Sequence, residues 1–189
     1  MPAPTPEQLG PLAGLAGTWE GTKGLDVSYH NADDEVGETP FRERVTLSPF
    51  GPVDNGSQQL FGLDYRMAAW RGDEEDPFHT EIGYWMWDAA RGEVYRCVMV
   101  PRAAIILSGG TASADSTSFT LTSEVGSTTY GVLENPYLAE NAATKSFEIT
   151  ITVGRDEWSY EETTNCTMAR MGGRRMAHTD RNTLARVAG

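Results

Sequence analysis

The chain contains three histidines, and one of them stands where it could bind a metal. His178 begins the last extended segment and shares its period-two face with Asp180, Asn182 and Leu184. A single neutral imidazole that faces an apolar interior is the donor that one axial bond to a haem iron needs. The alternative is an exposed histidine on a polar final strand, and the spacing alone leaves both interpretations open.

The other two histidines give weaker signals. His79 opens a strand directly after a loop, which predicts a position at the rim of a sheet. There it could contact the edge of a bound ligand or lie in solvent. His30 lies beside Asp33 and Asp34 in the polar, acidic segment 28–40, which is predicted as a loop. We therefore expect His30 to be solvated.

Sequence patterns of the common catalytic machineries are absent. The chain has no HExxH or CxxC pattern, no GxSxG motif, no phosphate loop and no dinucleotide fingerprint. Hydrolase, kinase and dehydrogenase functions therefore lose their usual support. Cys97 and Cys166 are compatible with free thiols in a reducing compartment, although the sequence does not decide whether they pair.

The formal net charge of −12 argues against nucleic acids and anionic membranes as partners. The N-terminus lacks a basic region followed by an apolar run, and no run is long enough to span a bilayer, so a cytoplasmic location is predicted. Residues 169–189 nevertheless carry five arginines: Arg170, Arg174, Arg175, Arg181 and Arg186. They form either a solvated basic tail or a patch that binds an anionic group.

Alternating apolar and polar residues predict about ten short strands joined by hairpin turns, with no helix between them. A meander of this length must hide its edges, and closure achieves that. We therefore predict an all-β fold, an antiparallel up-and-down barrel of the calycin or lipocalin type, with a ligand-sized interior. A two-sheet sandwich is the alternative. One domain is expected over residues 1–189, with an arm and short helix at 1–11 and the barrel at 12–187.

The barrel is predicted to begin at a tryptophan flanked by glycines. Thr5, Pro6 and Gln8 form a helix start with a capping box, and the helix is expected to cover one barrel end. Trp19 follows between Gly17 and Gly21, which let the first strand bend closely around the indole. We expect Trp19 to plug that end of the barrel.

Three segments in order resemble the nitrobindins, a family of haem-binding, fatty-acid-binding-protein-like β-barrels. Residues 15–21, Leu-Ala-Gly-Thr-Trp-Glu-Gly, resemble the opening G-x-W-x-G-x-G signature of that family. Residues 77–84, Pro-Phe-His-Thr-Glu-Ile-Gly-Tyr, are similar to its P-x-H-x-E-x-G-aromatic strand. Residues 176–187 resemble its last strand, in which a histidine precedes a leucine, a basic residue and a valine.

The resemblance implies a ten-stranded barrel around one haem b, with His178 as the proximal ligand of the iron and His79 on the opposite side, near the mouth. It also implies that Gly17, Thr18, Trp19 and Gly21 of the signature strand contribute to the cofactor site. The family is associated with ferric haem, nitric oxide binding and isomerisation of peroxynitrite to nitrate, and a homodimer is its reasonable assembly.

Two other functions remain open from the sequence. A carrier of a fatty-acid-like or other apolar ligand would hold no iron and would pair a carboxylate with the arginines near the last strand. A structural barrel with a filled interior would have no cavity of ligand size.

Overall fold

Apolar side chains recur at every second position along most of the chain, and in the computed structural model, which describes residues 3–187, these segments are β-strands. The predicted N-terminal arm is described from residue 3 onward, because Met1 and Pro2 lie outside the described residues. The helices are α1, Pro6–Leu9, and α2, Pro136–Asn141. The strands are β1 Gly17–His30, β2 Glu35–Asp54, β3 Gln59–Arg71, β4 His79–Asp88, β5 Glu93–Val100, β6 Ala104–Thr111, β7 Ser118–Glu124, β8 Val132–Leu133, β9 Ala142–Val153, β10 Glu157–Met168 and β11 Arg174–Arg186.

Ten of these strands form a closed antiparallel barrel. Their order is β5-β4-β3-β2-β1-β11-β10-β9-β7-β6, and pairing of β5 with β6 closes the circle. The two-residue strand β8 pairs with β6 and is not part of the circle. The barrel prediction is confirmed and the sandwich alternative is wrong, because a closed circle of strands has no second sheet to face.

The N-terminal segment closes one end of the barrel around Trp19. Helix α1 starts with the predicted capping box of Thr5 and Gln8 and continues into a 3-10 turn, Gly10–Leu15. The indole of Trp19 is fully buried, and its Nε1 donates to the Leu15 carbonyl at 2.7 Å. Arg186 covers the ring from outside, with its Cζ 4.1 Å from the ring centroid. The end plug thus joins the first strand, the last strand and the N-terminal turn.

Two predicted connections differ from the structure. Residues 28–40 are not a loop, because β1 and β2 continue pairing to His30 and Glu35 and form a long hairpin. Their polar side chains reflect the exposure of this hairpin, not a lack of strand structure. A helix also lies between strands, since Asn135 caps α2 by accepting a hydrogen bond from the Leu138 backbone at 3.1 Å.

None of the helices in the described residues is long and apolar enough to cross a membrane.

Gly83 allows β4 and β5 to approach closely, and a side chain there should be costly. A Cβ built on Gly83 overlaps the backbone carbonyl of Cys97. We expect Gly83→Ala to lower the free energy of unfolding by about 1–3 kcal/mol, because backbone must shift to admit it. Urea denaturation should show this loss of stability. Gly154→Ala should lose much less stability, because its Cβ would lie 3.1 Å from its nearest neighbour. Equal losses in the two variants would contradict this explanation.

Candidate functional site

A cavity of about 350 Å³ occupies the barrel at the end opposite Trp19. Ser28, Arg71, His79 and Val100 line it near the ends of their strands and mark its mouth. Deeper walls are mostly aromatic and aliphatic, formed by Phe41, Met67, Trp85, Ile106, Phe147, Ile149 and Trp158. Charged or titratable side chains interrupt this apolar wall at Asp26, Glu43, Glu81, Arg96, Glu162, His178 and Asp180.

His178 meets two carboxylates in the cavity wall. It lines the cavity together with Asp180 on β11, and Asp26 of β1 pairs directly opposite Asp180. Nε2 of His178 lies 2.5 Å from an oxygen of Asp26 and 3.1 Å from an oxygen of Asp180. One imidazole and two carboxylates thus place metal-ligating atoms within 4.8 Å of one another.

A β-bulge in β1 turns Asp26 toward the cavity. Before the bulge, Trp19 and Gly21 are buried at odd positions, and after it Gly24 and Asp26 are buried at even positions. The pairing of β1 with β2 shifts by one residue between Gly21 and Gly24. An extra residue in one strand inverts the alternation of its side chains, and here it brings a carboxylate beside His178.

The three groups of this cluster shift one another's protonation. Burial would raise the pKa of Asp26, but hydrogen bonds from His178 and Ser28 outweigh burial and leave that pKa below its ordinary value. Burial opposes charge on His178, yet hydrogen bonds to Asp180 and Asp26 raise its pKa to about 10. Burial raises the pKa of Asp180, against the stabilising hydrogen bond from His178. At neutral pH the ring is therefore an imidazolium held by carboxyl groups.

A second chain of charged groups leads from the mouth into the barrel. Nε2 of His79 lies 3.5 Å from Glu81, whose other oxygen accepts hydrogen bonds from Arg96 Nη2 at 2.5 Å and from the Tyr65 hydroxyl at 3.0 Å. Burial would raise the pKa of Glu81, but the charge of Arg96 and the bond to His79 lower it to about 2. Burial opposes charge on His79, and Glu81 nevertheless raises its pKa. With His79 protonated, positive, negative and positive groups alternate along this chain.

Burial favours the acid form of two further carboxyl groups in the cavity wall. Burial raises the pKa of Glu43 to about 7, although Tyr160 and Asn182 each donate a hydrogen bond to it at 2.9 Å. Burial and the nearby charge of Asp180 raise the pKa of Glu162 well above its ordinary value. Burial thus favours the hydrogen-bond-donating acid form at Glu43 and Glu162, beside carboxylates that accept hydrogen bonds.

Comparison with known proteins identifies the family. The sequence model of the THAP4-like, heme-binding β-barrel domain matches residues 8–186. The chain belongs to this family. The resemblance to the nitrobindins, a haem-binding β-barrel family, is thereby confirmed.

Similar proteins include two named peroxynitrite isomerase. The protein from Clavibacter michiganensis subsp. michiganensis is 37% identical over 87 residues, which are 45% of this chain and 38% of that protein. The protein from Clavibacter sepedonicus is 36% identical over 87 residues, with the same coverage. The alignment thus spans well under half the length of either relative. The crystal structure of Rv2717c from M. tuberculosis has a TM-score of 0.65 and 17% identity, over 94% of this chain and 95% of that chain, which shows a shared fold.

Both histidines named by the resemblance line the cavity of this haem-binding β-barrel domain, and the signature residues lie elsewhere. His178 and His79 are both in the cavity wall. The signature residues Gly17, Thr18, Trp19 and Gly21 do not line it and stand toward the closed end of β1. Gly17 has a positive φ of 135°, and Trp19 belongs to the hydrophobic core at that end of the barrel.

His30 and the C-terminal arginines also lie outside the cavity wall. His30 is at the tip of the β1–β2 hairpin, where its Nε2 is 3.1 Å from the Thr39 hydroxyl. All five arginines of residues 169–187 are exposed, and none lines the cavity. The cationic patch near an anion site, considered from the sequence, is therefore not part of this cavity. The arginine that borders its deeper part is Arg96 on β5.

The sequence interpretation missed most of the charged cavity residues. Glu43 shares the buried register of Phe41 and Val45, and Arg96 shares that of Val94 and Val98. A charge on an apolar register is a signal that could have revealed them. Asp26 had no such signal, because the bulge that turns it inward changes the alternation.

The cavity residues fit a haem group in kind. Carboxylates hold Nε2 of His178, and its Nδ1 has no hydrogen-bond partner in the described part of the chain. A histidine that binds a metal through one nitrogen commonly gives its other N–H to a carboxylate, as this arrangement allows. A metal on Nδ1 would take the place of the proton there. The aromatic walls of the cavity suit the apolar ring system of haem, and Arg71 and Arg102 at the mouth suit the two carboxylates of haem.

Proposed function

We propose that this barrel holds a ferric haem b through His178, with His79 on the opposite side near the mouth, binds nitric oxide and isomerises peroxynitrite to nitrate. The observation that carries the proposal is the position of His178 in the cavity wall, with Asp26 and Asp180 bound to its Nε2. Family membership over residues 8–186 and the two relatives named peroxynitrite isomerase support it.

Each group of the site has a separate task in this proposal. Asp26 and Asp180 orient the imidazole and keep Nδ1 directed away from them. Ferric haem held there would supply an iron able to bind a diatomic molecule or peroxynitrite. His79, whose protonated form Glu81 stabilises, donates hydrogen bonds to an anion that enters at the mouth.

Replacement of His79 should separate haem binding from turnover. In haem-loaded protein, we expect His79→Gln to keep the haem absorption band and to slow nitrate formation from peroxynitrite about 100-fold or more, because one proton donor is lost. Stopped-flow decay of peroxynitrite with nitrate analysis measures this, with His30→Gln as the matched control outside the cavity wall. Nitrate formation no faster than with free haem, in the wild type, would overturn the proposed activity. An unchanged rate in His79→Gln would show that His79 takes no part in the proposed activity.

We further propose a cytoplasmic location and a homodimer, without nucleic-acid or membrane partners. Both cysteines are free thiols, which supports a reducing compartment. The net charge of −12 supports the absence of polyanionic partners. Ile82, Tyr84 and Met99 are about half exposed on neighbouring strands β4 and β5 and provide an apolar outer surface on which two copies could meet.

A further inference from the structure

Arg96 is a buried cation with unused hydrogen-bond donors. Its side chain is 2% exposed, and its Nη2 donates to Glu81. Nε and Nη1 are closed off from bulk water and have no hydrogen-bond partner among the described residues. Buried polar groups in folded proteins are nearly always paired, and an unpaired charged donor is especially costly. Such a group in a cavity wall indicates that a partner comes from outside the chain.

Aromatic rings surround this guanidinium without satisfying those donors. The ring centroids of Tyr65, Trp85 and Phe147 lie 5.6, 5.5 and 5.5 Å from the Arg96 Cζ. Cation–π attraction stabilises the charge but does not accept hydrogen bonds in the guanidinium plane. The rings also fix the orientation of the guanidinium plane. Nη2 carries a second N–H, which shares one edge of the guanidinium with Nε–H or with Nη1–H, so Arg96 can still hold an acceptor with two oxygens in a plane.

The charges of Arg96, Glu81 and His79 can be balanced by one anion. Glu81 is the carboxylate paired with Arg96, and His79 lies on the other side of Glu81. With His79 protonated, these three groups carry one net positive charge. Glu162 lines the same cavity and makes no hydrogen bond in the described residues. Burial raises the pKa of Glu162 well above its ordinary value, which favours its acid form, a hydrogen-bond donor, over a competing negative charge.

We infer that the inner part of the cavity is a binding site for one planar oxyanion, a carboxylate or nitrate, held by the free donors of Arg96 with Glu162 beside it. This site differs from the one at His178 and does not require haem. The carboxylate of an apolar molecule would place its chain along the aromatic walls, whereas nitrate would bind alone. The shared chemistry is a flat, singly charged group with oxygens spaced for a guanidinium.

Titration of the full chain, with and without added haemin, tests this inference. Sodium nitrate, acetate and octanoate are titrated at constant ionic strength, by calorimetry and by the ¹⁵N–¹H signal of arginine Nε. We expect one binding event per chain and a shift of a single Nε–H signal in haem-free protein. Tighter binding of octanoate than of acetate would identify a carboxylate on an apolar chain, and a preference for nitrate would identify the small ion. No saturable binding by any of the three would overturn the inference.

Three variants assign the site to Arg96. Arg96→Lys keeps the charge but loses the planar fork, so affinity should fall about tenfold or more. Arg96→Gln combined with Glu81→Gln removes both charges of the pair, avoids a lone buried carboxylate, and should abolish binding. Arg175→Gln, exposed and outside the cavity wall, should bind as the wild type does. Binding that survives in the double variant, or is lost equally in Arg175→Gln, would overturn the assignment. Because the titrations of haem-free protein decide this inference, their failure leaves the haem proposal standing, and failure of haem binding leaves this site standing.

Discussion

Arg96→Met is expected to lower the free energy of unfolding by about 3–5 kcal/mol, because it leaves the buried carboxylate of Glu81 without its cation. Glu81 is 5% exposed and Arg96 is 2% exposed, so solvent cannot replace the lost partner. Tyr65 and His79 remain as neighbours, but neither is a permanent charge. Urea denaturation at pH 7 measures the loss.

The double variant Arg96→Met with Glu81→Leu should recover most of that loss. Apolar residues of similar volume can replace a buried ion pair at little cost, whereas breaking the pair from one side is expensive. The exposed pair Arg91–Glu93 offers a control, since Arg91→Met should change stability little. If Arg96→Met were as stable as Arg91→Met, the buried pair would not have the role assigned to it.

Glu43→Gln should stabilise the protein at alkaline pH and have little effect in acid. Burial raises the pKa of Glu43 from 4.5 to about 7, so between these pH values the unfolded chain ionises first. Ionisation of the unfolded chain lowers stability as pH rises, and the loss is complete above the folded-state pKa. The difference of roughly 2.5 pKa units corresponds to about 3 kcal/mol. A glutamine oxygen can still accept hydrogen bonds from Tyr160 and Asn182.

Denaturation curves at pH 4 and pH 8 measure this difference. At pH 4 the variant and the wild type should be nearly equal, and at pH 8 the variant should be more stable by about 3 kcal/mol. Glu161→Gln, on the exposed side of β10, serves as the matched control and should show no such dependence. A variant that gains stability equally at both pH values, or loses it at pH 8, would contradict the burial argument.

The fold could be predicted from the sequence because period-two alternation and turn residues are local signals. Trp19 was expected to plug one end, and its buried hydrogen bond to Leu15 confirms that position. The predictions were wrong where the local composition did not reflect the secondary structure. Residues 28–40 are polar because the hairpin is exposed, although they pair as strands. Helix α2 depends on the cap at Asn135, a signal of only a few residues.

The candidate site could be predicted only in part. Spacing alone left His178 and His79 open, and the resemblance assigned them to the site; both line the cavity. The partners of His178 could not be derived from sequence spacing, since Asp26 comes from a strand 152 positions away and faces inward only through a bulge. Arg96 and Glu81 belong to adjacent strands, and their pairing depends on a register that the sequence does not encode locally.

Haemin titration of the wild type beside His178→Ala and His30→Ala tests the central claim most directly. The proposal predicts a Soret band that saturates at one haem per chain in the wild type and in His30→Ala. It predicts that the band is lost or strongly shifted in His178→Ala, while far-ultraviolet circular dichroism shows that the variant still folds. A wild type without a saturable band, or a His178→Ala protein with an unchanged one, would contradict the assignment of His178 as the ligand of the iron.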